Sequence, residues 1–402
     1  MRSDRELLTL QEAMDLLQIS RSTINRWRRN KSLPFLKIGR DVYVDKDKLL
    51  AWASRYEHTH NDPDTDKQQR IETVTVGYQS MNAHLWSSLI IKELRLFEEE
   101  LLELRPRRQI HVQWRDLHGP SQMEELVIGR IQIASIGDYP LVNVFKLNQL
   151  FPSFQANLLA FDGKNASSEQ VSLVIPHKSD IRTLDQLSGR TVSTFVHSSA
   201  WHRLFKALGQ DVSNRPRIIN QNSRQSFHDI LNTQVDACTM VEPYLSVVQR
   251  YQLGRIIKLE DNGDDYLTGI VADNKWLREH EDIVVAYLKA HLRAHQLLRN
   301  SPLRMAKIIS EHTDFPLEIV TGILDGIRWD AAIYQRDLQT LVNIGTTHTP
   351  AHYERISGGL DTNLLRSQFM NDMYLTRAAQ HLRLPQMFQT LFDGAWRPEP
   401  IY

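Results

Sequence analysis

The stretch from Leu8 to Ala53, LTLQEAMDLLQISRSTINRWRRNKSLPFLKIGRDVYVDKDKLLAWA, limits what this chain can be more than any other. Thr9 is a good helix N-cap, and Glu12 follows at capping-box spacing. Ala13, Leu16 and Leu17 then form one apolar helical face. Gln18-Ile19 carries a turn, and Ser20 or Ser22 caps a second helix with Ile24 and Trp27 inward. Pro34 ends helical structure because it has no N–H to donate. Phe35 to Val44 alternates around a Gly-centred turn, the pattern of a hairpin. Asp45 caps a last short helix ending at Trp52. The expectation is two short helices, a turn, a β-wing and a closing helix.

Charge is concentrated in the same place. From Ser20 to Arg40 there are five Arg, two Lys and no acid, in a chain with 48 basic and 48 acidic residues. Such a patch suits phosphate contacts. Arg and Asn on the second helix are also the side chains that pair bidentately with guanine and adenine edges. The pattern SRSTINRW followed by LPFLKIGRDVYVDKDKLLAWA resembles the excisionase-type, MerR-like winged helix–turn–helix domains. That resemblance implies that Arg21, Ser22, Thr23, Asn25 and Arg26 face a major groove, with Lys37 and Arg40 of the wing on the backbone. Arg28 and Arg29 complete the exposed basic face, and the expected partner is operator DNA.

At 402 residues the chain is too long for one ordinary domain. The opening MRSDRELL lacks the apolar core of a secretory signal, and no apolar run reaches membrane-spanning length. A cytoplasmic protein with no membrane contact is the expectation. The single cysteine, Cys238, leaves no disulfide framework and no cysteine-based metal cluster. It reads as a small buried hydrophobe within a strand. Neither a cofactor nor a metal site is read from the sequence. Residues 56–72 are polar and aperiodic, a linker in which His58 and His60 read as solvated.

From Thr73 the pattern changes. Strands are expected at Thr73–Tyr78, Ile110–Trp114, Ile131–Gly137, Val171–Ile175, Thr191–Val196, Arg217–Asn220 and Asp236–Val241. Helices fall between them: one long helix from about Asn82 to Leu104, then Ser121–Ile128, Ser199–Leu208, Arg224–Thr233 and Pro243–Gln249. Alternation of this kind predicts α/β lobes with mostly parallel sheets. Trp276 to Asp393 reads as amphipathic helix almost throughout.

GYQ after the first strand, GDYP after the third, then LSGRTVSTFVHSSAWHRL and VDACTMVEPYL, resemble in succession the periplasmic substrate-binding proteins for nitrate, sulfonate and taurine. The resemblance implies a two-lobe, type II periplasmic-binding-protein-like body at 73–402 behind a winged helix–turn–helix at 1–55. Lobe 1 would take about 73–170 plus the C-terminal helices, and lobe 2 about 171–270. In such a fold ligands sit at the carboxyl ends of strands, where helix N-termini point inward. Gln79, Asp138, Tyr139, His197, Ser198, Ser199, His202 and Glu242 fall there and are the candidate ligand residues. Ser198 or Ser199 equally suits a helix cap, and Glu242 before Pro243 suits a helix start. An oxyanion fits the N–H groups near Ser199, whereas Asp138 and Glu242 would favour a donor or amine at the other end.

Two enzyme classes share this fold, and the chain departs from both. One cysteine cannot supply the cysteine-rich motif of the thiamine-pyrimidine synthase relatives. Gln79 and Ser80 stand where the desulfinase relatives have a nucleophilic cysteine. No catalytic residue is assigned. The expected function is a ligand-responsive transcription regulator that works as a homodimer. The alternatives are a solute-binding protein whose head makes only protein contacts, and an enzyme of the same fold.

Overall fold

The computed structural model describes residues 7–17, 24, 33, 35–38, 41–46, 48–49, 72–105, 110–151, 153–166, 170–209, 215–259, 264–346, 360–384 and 391–400. In the head, β1 (Leu7–Thr9) leads into α1 (Leu10–Leu17). The capping box is present: Glu12 N–H donates to Thr9 Oγ1 at 3.1 Å, and Thr9 N–H donates to Glu12 Oε2 at 2.7 Å. β2 (Leu36–Ile38) and β3 (Asp41–Asp45) form the expected hairpin, with Leu36 opposite Tyr43 and Ile38 opposite Asp41. β1 adds a third strand, antiparallel to β3, beyond the expected hairpin. Asp45 accepts from Lys48 N–H at 3.0 Å, as a cap should. Arg21, Ser22, Thr23, Asn25, Arg26, Arg28, Arg29 and Arg40 lie outside the described residues, as do His58 and His60. Of Lys37 only the strand backbone is described.

The body contains two mixed sheets. The first runs in the order β14-β7-β13-β6-β4-β5, from β4 (Glu72–Tyr78), β5 (Ile110–Asp116), β6 (Ile133–Gly137), β7 (Ala156–Asn165), β13 (Tyr266–Asp273) and β14 (Arg328–Trp329). The second runs β10-β9-β11-β8-β12, from β8 (Val171–Ile175), β9 (Thr191–Thr194), β10 (Arg217–Asn220), β11 (Ala237–Val241) and β12 (Arg255–Lys258). The expected mostly parallel sheets are corrected. β4 is parallel to β5 and β6, and β9 to β10 and β11, but β13 is antiparallel to β6 and β7, and β8 to β11 and β12. The antiparallel strands are those next to the crossings between sheets, where the chain leaves one sheet after β7 and returns to it as β13. That return also puts residues 266–273 in the first sheet.

The helices are α2 (Trp86–Glu93), α3 (Leu96–Leu104), α4 (Gly119–Val127), α5 (Asp138–Leu150), α6 (Ser199–Leu208), α7 (Ser223–Leu231), α8 (Tyr244–Tyr251), α9 (Asn274–Glu279), α10 (Glu281–Asn300), α11 (Pro302–Thr313), α12 (Leu317–Gly326), α13 (Gln335–Thr346), α14 (Thr362–Gln368) and α15 (Met373–His381). The single helix expected from Asn82 to Leu104 is instead a short 3-10 turn (Ala83–Leu85) followed by α2 and α3. Arg95 breaks it by adopting a left-handed φ of 55°. The C-terminal region is largely helical as expected, with the short strands β14, β15 (Ile333–Tyr334) and β16 (Leu391–Phe392) interrupting it.

The central strands β6, β7 and β13 of the first sheet are buried on both faces, whereas the edge strand β5 alternates between half-buried and exposed residues. Along β13, Ile270 and Ala272 join the apolar cluster of Trp86, Phe97 and Tyr287, while Leu267 and Val271 join that of Phe145 and Leu341. Each such fully buried side chain is worth roughly 1.5–3 kcal/mol. No helix among the described residues is long and apolar enough to cross a membrane.

Candidate functional site

A cleft lies between the lobes, and the carboxyl ends of the parallel strands open onto it. Gln79, Met81 and Asn82 follow β4, and Gly137 ends β6. Phe195, Ser198 and Ser199 follow β9, Gln221 follows β10, and Thr239 and Val241 belong to β11. Four helices begin at this wall: α4 after His118, α5 after Gly137, α6 after Ser198 and α7 after Asn222. The unpaired N–H groups and partial positive charge of a helix start favour an anion, and here two helices come from each lobe. The cleft holds a cavity of about 60 Å³. Among the described residues lining it, none is Asp, Glu, Lys or Arg. His118 lines it with its ring against Phe195, 5.2 Å between centroids, and burial holds its pKa below the usual histidine value.

Three of the candidate residues face this cavity: Gln79, Ser198 and Ser199. Gln79 Nε2 donates to the Ser135 carbonyl at 3.0 Å, which fixes its amide. Ser198 is the N-cap of α6, its Oγ accepting from Trp201 N–H at 3.2 Å. The left-handed His197, φ 66°, turns the chain into that cap. His197 is buried with its ring 5.3 Å from that of Trp201, and it is not among the lining residues.

The two acids do not line the cavity. Asp138, the first residue of α5, is fully buried and forms a bidentate pair with Arg203 of α6. Arg203 Nη1 donates to Oδ1 at 3.1 Å and Nη2 to Oδ2 at 2.6 Å. Leu267 N–H and Tyr139 N–H also donate to this carboxylate. Burial opposes the charge on Asp138, yet the Arg203 guanidinium outweighs it and holds the carboxyl below its usual value. The same pairing raises Arg203 against its own burial. Arg203 also donates to the Asp265 and Ser199 carbonyls, so the pair ties α6 of lobe 2 to the first sheet. Glu242 accepts from Ser246 N–H at 3.1 Å and Ser246 Oγ at 2.9 Å, capping α8. Burial raises its pKa. Its backbone carbonyl accepts from Ala83 N–H at 3.2 Å, a link between lobes. The donor-seeking role expected of Asp138 and Glu242 is thus taken up inside the protein. Tyr139 and His202 stack on each other across the same seam, centroids 4.7 Å apart.

Asn82, His118, Gln221, Ser223, Ser226, Thr239 and Tyr266 line the cleft without having been picked out from the sequence. The Asn222–Ser223 pair carried a readable signal, since Asn before a periodic segment is a cap, and Asn222 Oδ1 accepts from Gln225 N–H at 2.9 Å. Arg203 carried none, because an arginine one turn into a helix reads as a solvent-exposed charge.

Residues 7–56 match the model of a helix-turn-helix domain, and residues 164–304 match the model described as NMT1/THI5 like. A comparison with curated protein sequences gives no match. Among solved structures, the alkanesulfonate-binding protein of Xanthomonas axonopodis pv. citri bound to MOPS aligns over 82% of this chain and 100% of its own, at 16% identity and TM-score 0.53. The periplasmic aliphatic sulphonate-binding protein of Escherichia coli aligns over 75% and 99%, at 16% identity and TM-score 0.53. The periplasmic nitrate-binding protein of Synechocystis PCC 6803 aligns over 80% and 92%, at 15% identity and TM-score 0.58. At such identities the likeness is one of fold. With the two matched regions, it makes the chain a helix–turn–helix domain joined to a body that carries an NMT1/THI5-like region on the two-lobe substrate-binding fold.

Proposed function

We propose that this protein is a cytoplasmic, ligand-responsive transcription regulator. Its helix–turn–helix head binds operator DNA, and its cleft binds a small organic anion. The observation that carries the ligand reading is the convergence of four helix N-termini, two from each lobe, on a cavity lined by neutral side chains. A lining without carboxylates favours a sulfonate or nitrate-like oxyanion over taurine or an amino acid, because an ammonium group would find no counter-ion there. Each lobe supplies two of the four helix starts, so the anion favours the closed arrangement through its differential contacts.

A route to the head supports the regulatory reading. Helix α4 presents Gly119 and Pro120 to the cleft, and its Met123 and Leu126 belong to the apolar cluster that also contains Ala13, Met14 and Val44 of the head. A non-catalytic role is favoured because Cys238 is buried in β11, where desolvation pushes its thiol pKa up and away from reactivity. The active form is a homodimer, since one winged head offers few base contacts and pairing multiplies affinity.

A gel shift with the upstream intergenic DNA, with and without candidate anions, tests the whole reading. Arg26→Ala should abolish specific binding at matched salt, each base contact being worth about 1–3 kcal/mol, and leave anion binding unchanged. Unchanged operator affinity would remove the second helix from the DNA interface. A thermal-shift screen of sulfonates, nitrate, bicarbonate, amino acids and pyrimidines should rank anions without an ammonium group first. A neutral aromatic as best ligand would overturn the anion assignment. Light scattering that finds a monomer on DNA would remove the dimer.

A further inference from the structure

The core of lobe 1 contains a group of donors that the cleft does not use. His291 and His295 lie one turn apart on α10, in the sequence HLRAH, so both rings project from one face of the helix. Their centroids are 4.2 Å apart. Asp162 of β7 faces them, and all three residues are fully buried. One ligand atom from each lies within 4.8 Å of the others. His295 Nε2 is 2.9 Å from Asp162 Oδ1. His291 Nε2 is 2.9 Å from the Phe161 carbonyl, so that nitrogen carries the proton and Nδ1 turns to the cluster with its lone pair. Ser87 stands beside it, its Oγ 3.4 Å from His291 Nδ1 and donating to Asp162 Oδ2 at 2.7 Å.

We propose that Asp162, His291 and His295 form a binding site for a divalent first-row transition ion, with Zn²⁺ the best-suited probe. Two imidazoles and a carboxylate are the borderline donors such ions take. Ligand bonds of about 2.0–2.2 Å set donors roughly 3.3 Å apart in a tetrahedron, so the His295–Asp162 pair at 2.9 Å would open by a few tenths of an ångström and the wider pairs, none beyond 4.8 Å, would close around the ion. The hydrogen bond from His291 Nε2 to a carbonyl is the outer contact that orients a ligating histidine. The ion takes the place of the proton between His295 and Asp162, and Ser87 or a water completes the shell. Because the three ligands are sealed from solvent, the ion is acquired during folding and ties α10 to β7. Its role is structural, and it is independent of the cleft and of the regulatory reading.

The test refolds the full chain with Zn²⁺ or Co²⁺, dialyses it, and measures bound metal by mass spectrometry and the Co²⁺ d–d spectrum. About one retained equivalent per chain and a tetrahedral cobalt spectrum are expected. Asp162→Asn and His295→Gln should each reduce retention by at least about tenfold. A folded wild-type chain that retains no ion, or variants that retain as much as wild type, would overturn the site. Should the variants fail to fold, the wild type decides alone. Refolding with EDTA must lower its unfolding midpoint relative to refolding with Zn²⁺, and equal midpoints would overturn the proposal.

Discussion

Helices α5 and α6 make two surfaces side by side, and the two are built on opposite terms. At their starts, Gly137 and Ser199 line the cleft, and no Asp, Glu, Lys or Arg is among the described residues that line it. Immediately beside it, Asp138 and Arg203 form a buried ion pair whose carboxylate takes further hydrogen bonds from Tyr139 and Leu267. One surface is lined by neutral side chains, and the other pairs a buried carboxylate with a buried guanidinium. The contrast explains why Asp138 is a poor candidate for a ligand group despite its position.

The comparison can be broken most severely at the seam. Arg203→Met leaves the Asp138 carboxylate buried and unpaired, and should cost about 3–5 kcal/mol in urea unfolding. The double change Asp138→Asn with Arg203→Met should recover much of that loss. A cost below about 1 kcal/mol for Arg203→Met would mean the pair does not hold the lobes.

The seam also has a defined pH signature. Its carboxyl is held below the usual value, so its stabilisation is complete above the ordinary carboxylate range and is lost as pH falls through the lowered value. The stability gap between wild type and Asp138→Asn should stay constant from neutrality to about pH 5 and close only in stronger acid. A gap that closes near neutrality would assign the titration to another group.

Gly137 tests where seam and cleft meet. A Cβ there would stand 2.6 Å from Ser199 Oγ, so Gly137→Ala should cost about 1–3 kcal/mol and push the lobes apart. Adding Ser199→Ala, which removes that oxygen, should recover part of the stability, less the hydrogen bond that the Ser199 side chain makes with Asp138. Failure of the second change to rescue the first would show that the close approach is not what Gly137 serves.

The smallest effect is expected at Ser198. Its hydroxyl caps α6, so Ser198→Ala should cost about 1 kcal/mol of stability. Calorimetry with the best anion separates this from a ligand role. A loss of affinity far beyond the loss of stability would make the hydroxyl a direct contact.

Local chemistry determined a good deal of this protein from sequence alone. The Thr9–Glu12 box, the wing hairpin, the Asp45 cap and the Ser198 cap need only residues a few positions apart, so their signals survive without tertiary context. The alternation of strand and helix segments likewise made the two α/β lobes readable. Strands β7 and β13 were not among the expected ones: ANLLAFDGKN and YLTGIVAD are buried on nearly every residue, and an apolar run without a period of two does not by itself distinguish strand from helix. Missing them hid the mixed sheets and the return of the chain to lobe 1. Arg95 shows the same limit, since a helix-favouring pattern continued across a residue that is left-handed in the structure. Only the tertiary structure decided that Asp138 belongs to Arg203, 65 positions away, and that Asp162 faces His291 and His295. The pairing of buried charges depends on which helices meet, and that is set by packing across the whole body rather than by any local spacing.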